Sequence, residues 1–163
     1  MACFVNTDKA GVSLVRIDPA TGRDVPMGTD KKSKSRVTLE LPEEKDAVQG
    51  MAIVGGKAYF SVPSENRIGS VDLSTGTVEN NIGCKSPAPQ GLSRLNDTTL
   101  LVCSGKQVIA WDVARKSGRV IIDNLEAPKA VCADAKGTLY VSDLGSSQQI
   151  KKFSSSGKPI STF

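Results

Sequence analysis

Apolar residues occur in short runs along the whole chain, and polar turn-forming residues separate the runs. The runs are rich in Val, Ile, Leu, Thr and Tyr, which favour β-strands. Gly and Pro recur so often between them that helices of ordinary length have little room. The pattern therefore predicts an all-β fold made of many short strands. The clearest runs are 57–62, 99–104, 108–113, 119–122 and 138–143.

Three kinds of segment return in a fixed order along the chain. The first kind begins at Gln49 and recurs at Gln90 and Lys129, after 41 and then 39 residues. The second kind is the run 57–62, with copies at 2–6, 99–104 and 138–143. The third kind ends at Asp18, Asp72 and Asp112, with a weaker copy at 150–154. A period near 40 residues that carries several strands is typical of a β-propeller blade, which is a four-stranded antiparallel sheet.

Two turns share one design, which supports the assignment. Segments 18–22 and 72–76 both begin with Asp and end with Thr-Gly. The Asp carboxylate can accept the N–H groups of the turn, and Gly adopts a positive φ without steric cost. Both segments are therefore predicted to be hairpin turns, and 154–157 a weaker version of them.

The last copy of the repeat resembles the NHL repeat family, with features of the YVTN-type bacterial propellers. Its phrases are 127–134, 137–143 and 149–153, which parallel P-x-G-[IL]-A-x-D, G-x-[LI]-Y-V-[ST]-D and N-R-[IV]-x-x-[FY]. Ala130 stands where the family usually has Gly, and Gln149 stands near the usual Arg. The second copy keeps Asn66-Arg67-Ile68. The resemblance covers almost the whole chain and implies a ring of six or seven blades.

The repeat predicts about four blades and an incomplete ring. We expect a single propeller segment over 1–163, with blades at about 2–46, 47–86, 87–125 and 126–163. The first blade is predicted to lack its innermost strand. Such a ring leaves sheet edges open, which proteins usually avoid. We therefore expect the remaining blades of a longer propeller, or a second copy of the chain, as a partner.

Composition limits the possible chemistry. The chain contains no histidine, which removes histidine-based acid–base catalysis and histidine metal ligation. The net charge of +4 is modest, and much of it lies in the basic cluster 31–36, which is interpreted as a solvated loop. No apolar run is long enough to span a bilayer, so membrane insertion is not expected. The sequence does not identify the cellular compartment of the protein, and we slightly favour an extracytoplasmic one.

Two other functions remain open at this stage. Related gluconolactonase-like propellers are metal-dependent lactonases, and the candidate ligands here would be Asp134, Asp143, Asn96 and Glu44. None has a distinctive flanking phrase, so no metal ligand, catalytic residue or cofactor is predicted. The second alternative is an RNA-binding NHL module. The aromatic residues Trp111 and Tyr140 lie in strand phrases, where core packing is the default, and nucleic acid is not the expected partner.

The four cysteines have no C-x-x-C spacing, so neither a zinc site nor a redox motif is predicted. Cys3, Cys103 and Cys132 lie in strand runs and are predicted to be buried. Cys84 lies in a predicted loop and is expected to be the most reactive. Four cysteines could form two disulfides, but a chain of this size does not need them and the sequence does not imply them.

Propeller geometry suggests one candidate binding site. Loops that enter the innermost strands crowd the mouth of the central channel, and Gln49, Gln90 and Lys129 open those strands. Their two amides and one ammonium are predicted to hold a polar or anionic ligand, with capping of main-chain groups as the alternative. The overall prediction is a non-enzymatic scaffold that binds a protein or a glycan-like ligand on its loop face.

Overall fold

The computed structural model describes residues 2–7, 11–26, 35–39, 48–146 and 148–163. These residues form fifteen β-strands and one turn of 3-10 helix at Pro63–Glu65. The prediction of an all-β fold is confirmed. In the described part of the chain, no helix is both long and apolar enough to cross a membrane.

The strands form four antiparallel sheets in chain order, and within each sheet consecutive strands are neighbours. Sheet 1 contains β1 (Ala2–Thr7), β2 (Gly11–Arg16) and β3 (Arg36–Leu39). Sheet 2 contains β4 (Gly50–Val54), β5 (Lys57–Val62), β6 (Arg67–Asp72) and β7 (Val78–Glu79). Sheet 3 contains β8 (Pro89–Arg94), β9 (Thr99–Ser104), β10 (Gln107–Asp112) and β11 (Ser117–Ile122). Sheet 4 contains β12 (Pro128–Ala133), β13 (Leu139–Asp143), β14 (Gln149–Phe153) and β15 (Pro159–Thr162). The blade limits expected from the repeat stay a prediction.

Three apolar cores lie between consecutive sheets. In β9, Leu100 and Val102 point into the core shared with sheet 2. Leu101 and Cys103 point the other way, into the core shared with sheet 4. Because side chains alternate between the two faces of a strand, a run such as 99–104 must be apolar throughout to bury both. This explains the continuous apolar character of the runs in the sequence.

The first strands of sheets 2, 3 and 4 pack side by side, and the outer strands diverge from them. A Cβ atom on Gly50 would lie 2.5 Å from the carbonyl oxygen of Gln90. A Cβ atom on Gly91 would lie 2.5 Å from the carbonyl oxygen of Lys129. Glycine is therefore required where the backbones of these strands meet. The sheets consequently fan out from one axis, with the starts of their first strands at the same level.

The predicted hairpin turns are present. The Asp18 carboxylate accepts the N–H of Ala20 at 2.9 Å, and that of Asp72 accepts the N–H of Ser74 at 2.8 Å. Gly22 and Gly76 have φ values of 67° and 74°. The hydrogen bonds from Ala20 and Ser74 hold the pKa of each carboxyl below its ordinary value. Sheet 3 repeats the turn from Asp112 without a glycine.

The four described sheets do not close into a ring, so sheet 4 has one uncovered face. In sheet 2 the paired residues Ile68 and Ile82 are buried under sheet 3, at 0% and 6% exposure. In sheet 4 the corresponding pair is Ile150 and Phe163, which are 43% and 71% exposed. The uncovered face of sheet 4 thus has the apolar pattern of an inter-sheet face.

Candidate functional site

The sheets have two ends, and one of them carries the predicted site. In each sheet the connection from the second to the third strand lies at the same end as the link to the next sheet. We call this end the loop face. It comprises 49, 63–66, 80–90, 105–107, 123–129 and 144–146 among the described residues. The hairpins at 73–77, 95–98, 113–116, 134–138 and 154–158 form the opposite face.

The structure brings the three predicted ligand residues to neighbouring strand starts on the loop face. The Lys129 ammonium lies 3.4 Å from the side-chain oxygen of Gln90 and donates a hydrogen bond to it. Gln49 is exposed, and its N–H donates to the carbonyl oxygen of Ser61 at 3.2 Å. The hydroxyl of buried Ser61 donates to the carbonyl oxygen of Gln90 at 2.6 Å. Ser61 therefore joins the strand starts at Gln49 and Gln90, a role that sequence reasoning missed.

Side chains beside the connection from the second to the third strand anchor the link between sheets 2 and 3. The Asn66 side-chain oxygen accepts the N–H of Ala88 at 2.7 Å. The hydroxyl of Ser104 donates to the carbonyl oxygen of Pro87 at 2.9 Å. One guanidinium nitrogen of Arg67 donates to the carbonyl oxygen of Asn80 at 2.9 Å. The link 80–88 is thus anchored from both of the sheets that it joins.

Asp143 anchors the next link and is the most buried charged group in the described part of the chain, at 1% exposure. Its carboxylate accepts the N–H groups of Glu126 and Ala127, at 3.0 and 2.6 Å, and the Lys151 ammonium at 2.7 Å. Burial by itself raises the pKa of Asp143, but the hydrogen bonds from Lys151, Glu126 and Ala127 outweigh it. The pKa therefore lies below the ordinary value of 3.8.

Ala88 holds a strained backbone conformation on this face. Its φ is 44°, in the left-handed region that favours glycine. Asn66, Asn124 and Gln148 also have positive φ and lie in or beside loop-face segments. Such conformations persist only where the surrounding structure imposes them. At Ala88 the hydrogen bond from its N–H to the Asn66 side chain does so.

Replacing Ala88 with glycine is expected to raise the free energy of unfolding by about 0.5–1 kcal/mol, because glycine adopts a positive φ without strain. Ala127 is a matched control, since it also precedes proline and also donates its N–H to a side-chain oxygen, but does not have a positive φ. Ala127→Gly should lower stability by a similar amount. Urea denaturation of the two variants measures both effects, and a loss of stability in Ala88→Gly would contradict the assignment of strain.

The candidate metal ligands do not meet. Asp134 and Asn96 lie on the opposite face, where Asp134 accepts the N–H of Thr138 at 2.9 Å and Asn96 accepts that of Thr98 at 3.0 Å. Asp143 lies at the other end of its sheet, and Glu44 lies outside the described residues. Within the described ranges no group of three or more His, Cys, Asp or Glu residues could hold a metal ion. The described candidates therefore hold turns and links of the fold.

Of the two aromatic residues, one packs as predicted. Trp111 is 8% exposed and lies in the core between sheets 2 and 3. The prediction for Tyr140 was wrong, because it lies on the uncovered face of sheet 4, with the Lys152 ammonium 5.7 Å from the centre of its ring. The corresponding residue of sheet 2, Tyr59, is buried under sheet 3. Sheet 3 covers Tyr59, whereas no described sheet covers the equivalent face of sheet 4, and this explains the different exposure of the two tyrosines.

The prediction for the cysteines is corrected at two positions. Cys84 is 4% exposed, because its loop folds into the core between sheets 2 and 3, and burial raises the pKa of its thiol. Cys132, predicted to be buried, is exposed on the uncovered face of sheet 4. Cys103 is buried as predicted, and burial raises its pKa to about 12. All three are free thiols, and the side chain of Cys3 lies outside the described residues.

In the native protein, N-ethylmaleimide is expected to modify Cys132 at least about a hundred times faster than Cys84 or Cys103, because the thiolate is the reactive form and access is required. Peptide mapping by mass spectrometry after timed quenching measures the three rates. In denaturant the three rates should become similar. Fast native modification of Cys84 would show that the segment 80–88 is not packed as described.

Comparisons with known proteins support the architecture. No family model matches the sequence, and the curated proteins contain no match. A solved chain of the nidogen/laminin complex matches 98% of this chain with a TM-score of 0.71 and 18% identity. The chain has a β-propeller fold. A second match is a virginiamycin B lyase from Staphylococcus aureus, solved with quinupristin as a variant made inactive by changing a histidine to alanine. It matches 98% of this chain with a TM-score of 0.64 and 16% identity.

Both matches are longer than this propeller. The chain spans 59% of the length of the nidogen/laminin chain and 54% of that of the lyase. At identities of 18% and 16% the similarity concerns the fold, and it supports a propeller in general, not the NHL family in particular.

Proposed function

We propose that this propeller is a non-enzymatic scaffold that binds a protein partner on its loop face. The observation that carries the proposal is the anchoring of the loop-face links by Asn66, Ser104 and Asp143. A surface whose loops are already held in place loses little conformational entropy when a partner binds. The protein complex in which the first matching structure was solved is consistent with such a role.

Exposed lysines of the loop face offer contacts for acidic groups of a partner. Lys85, Lys106 and Lys129 are exposed there. The acidic side chains are engaged with local donors: Glu126 accepts the Ser146 hydroxyl at 2.9 Å, and Asp123 accepts the Gln107 amide at 3.2 Å. Both carboxylates stay charged but are held in place, whereas the side chains of Lys85 and Lys106 have no partner in the described part of the chain and are free to meet an acidic group. Complementary charge mainly raises the association rate and the specificity.

The enzymatic alternatives have less support. The matching lyase is catalytically inactive when one histidine is changed to alanine, and this chain contains no histidine. The described lactonase candidates Asp134, Asp143 and Asn96 are engaged in turns and links at different ends of the sheets. A shared scaffold does not imply a shared reaction.

The test compares three proteins as baits for partner capture, followed by quantitative mass spectrometry. The baits are the wild type, a loop-face variant with Lys85, Lys106 and Lys129 changed to Glu, and an opposite-face variant with Arg115, Lys136 and Lys158 changed to Glu. Both variants carry the same change in net charge. We expect captured proteins that the loop-face variant loses at least about tenfold and the opposite-face variant keeps. An identical captured set for both variants contradicts the proposal, as does capture of RNA that falls steeply with salt.

A further inference from the structure

Sheets 3 and 4 differ at one position of their third strands, where sheet 2 has Gly69. In sheet 3 the third-strand residue Val108 pairs with Cys103, and in sheet 4 Ile150 pairs with Ser142. The next residues, Ile109 of β10 and Lys151 of β14, therefore occupy equivalent positions. Ile109 is 8% exposed and packs in the core between sheets 2 and 3. Its outer-strand partner is Val120, whereas the partner of Lys151 is Thr162. A Lys–Thr pair thus replaces an Ile–Val pair.

A groove of about 590 Å³ opens at this junction, on the side of sheet 4 that faces sheet 3. Its apolar lining comes from both sheets and includes Ile122, Leu125, Phe153 and Ile160. At one end the hairpin residue Gly157 approaches the carbonyl oxygen of Ile121 so closely that a Cβ atom would collide with it. The two sheets are therefore fixed to each other beside the groove, and its volume is typical of ligand sites.

The groove contains a charged group held in a fixed position. The Lys151 side chain is 22% exposed and donates one N–H to Asp143, which leaves other N–H donors of the ammonium for a second acceptor. A buried ion pair adds little stability compared with apolar residues of similar size. Stability alone therefore does not explain why lysine occupies the position that isoleucine fills in sheet 3.

The outer strand of the groove is open for pairing. The main-chain bonds of β15 to β14 are made by Phe163 with Ile150, and Lys152 faces Ser161. Alternation along an antiparallel ladder then turns the N–H and C=O of Thr162 away from β14. Ile160, 56% exposed, lies on this edge strand and lines the groove. An exposed apolar edge strand is a template for an added strand.

We propose that the groove between sheets 3 and 4 binds an extended peptide segment of a partner protein, which pairs with the edge of β15 and places apolar side chains over Ile160 and Phe153. A side-chain oxygen of the same peptide accepts a hydrogen bond from Lys151. Side chains on one face of a strand recur every second residue, so the recognised sequence alternates apolar residues. The groove borders the loop face at 123–125, but none of the three lysines proposed to meet the loop-face partner lines it, so the two sites can be tested independently.

The experiment selects peptides from a displayed random twelve-residue library on the whole chain and measures the affinity of a synthetic copy of the enriched sequence. The expected peptides share alternating apolar positions and an Asp, Glu, Asn or Gln. Ile160→Asp should weaken binding at least about tenfold, because it places a charge against the apolar side chain of the peptide. Thr162→Pro should do the same, because it removes the outward N–H while it keeps the bonds to β14.

Matched variants show whether the peptide binds in this groove or elsewhere on the surface. Val120→Asp changes a residue of similar exposure, 46%, on an outer strand but away from the groove, and should change the affinity less than twofold. The loop-face variant with three Glu substitutions should also leave peptide binding unchanged, so the two proposals fail separately. Thermal unfolding confirms that each variant is folded. Failure to enrich any peptide, or equal binding to wild type and Ile160→Asp, would overturn the proposal.

Discussion

Replacing Asp143 with alanine is expected to lower the free energy of unfolding by about 3 kcal/mol, because removing one partner of a buried ion pair leaves the other without compensation. The change leaves the Lys151 ammonium and the N–H groups of Glu126 and Ala127 without their acceptor. For a chain of this length the loss corresponds to a fall of about 6–12 °C in the melting temperature. Calorimetry and urea denaturation measure the two quantities.

The same residue makes stability depend on pH. Because the pKa of Asp143 is lower in the folded protein than in the unfolded chain, the unfolded chain binds more protons as the pH falls. Its contribution is therefore fully present above about pH 5 and is lost as the pH falls through the folded-state pKa. Asp143→Asn should flatten this part of the stability curve. Asp18, Asp72 and Asp134 also have lowered pKa values and are present in both proteins. The variant should therefore still lose stability in acid, but less than the wild type.

A control distinguishes the ion pair from the anchoring of the link. Lys151→Met removes the ammonium but keeps the two N–H groups on the Asp143 carboxylate, so it should cost less than Asp143→Ala. The double variant should cost less than the sum of the two single changes, since both remove one interaction. Additive losses would show that the carboxylate and the ammonium do not act together.

Gly91→Ala is expected to destabilise the propeller by about 2–3 kcal/mol, which is the usual cost of overpacking a tight contact. The added Cβ would lie 2.5 Å from the carbonyl oxygen of Lys129 and 2.8 Å from the Cα of Ala130. Both are main-chain atoms of the neighbouring first strand, which cannot turn aside as a flexible side chain can. The first strands of sheets 3 and 4 must therefore move apart.

Ala130 provides the comparison for this prediction, because it occupies the position in β12 that Gly91 occupies in β8. Ala130→Gly should cost only about 0.5–1 kcal/mol, the usual penalty of glycine within a strand. Urea denaturation gives both values under one set of conditions. Equal losses in the two variants would show that close approach of the first strands does not limit the position.

The strand architecture could be predicted from the sequence for a local reason. Runs such as 99–104 carry their own β-propensity, and the Asp-initiated turns at 18–22 and 72–76 are closed by contacts within five residues. The repeat then indicates that each group of strands forms the same unit. Local propensity and local hydrogen bonds do not depend on where the neighbouring sheets lie, so these features survive in the folded protein.

The site was predicted only in part, for the opposite reason. The repeat places Gln90 and Lys129 at equivalent strand starts, and equivalent positions of adjacent sheets meet at the axis. The sequence identified Asn66 as part of the Asn-Arg-Ile motif of the repeat, but its hydrogen bond with Ala88 joins residues 22 positions apart, which no local pattern predicts. The burial of Cys84 and the exposure of Tyr140 and Cys132 likewise depend on what packs against them.

Contacts within about forty residues of chain are enough to specify which residues form strands and turns and that the strands recur as sheets, so these properties could be read from the sequence. The packing of the sheets against one another specifies which faces are covered, that Asp143 meets Lys151 and where the groove beside β15 opens. Burial and ion pairing depend on the distance between sheets, and a local pattern of residues does not specify that distance.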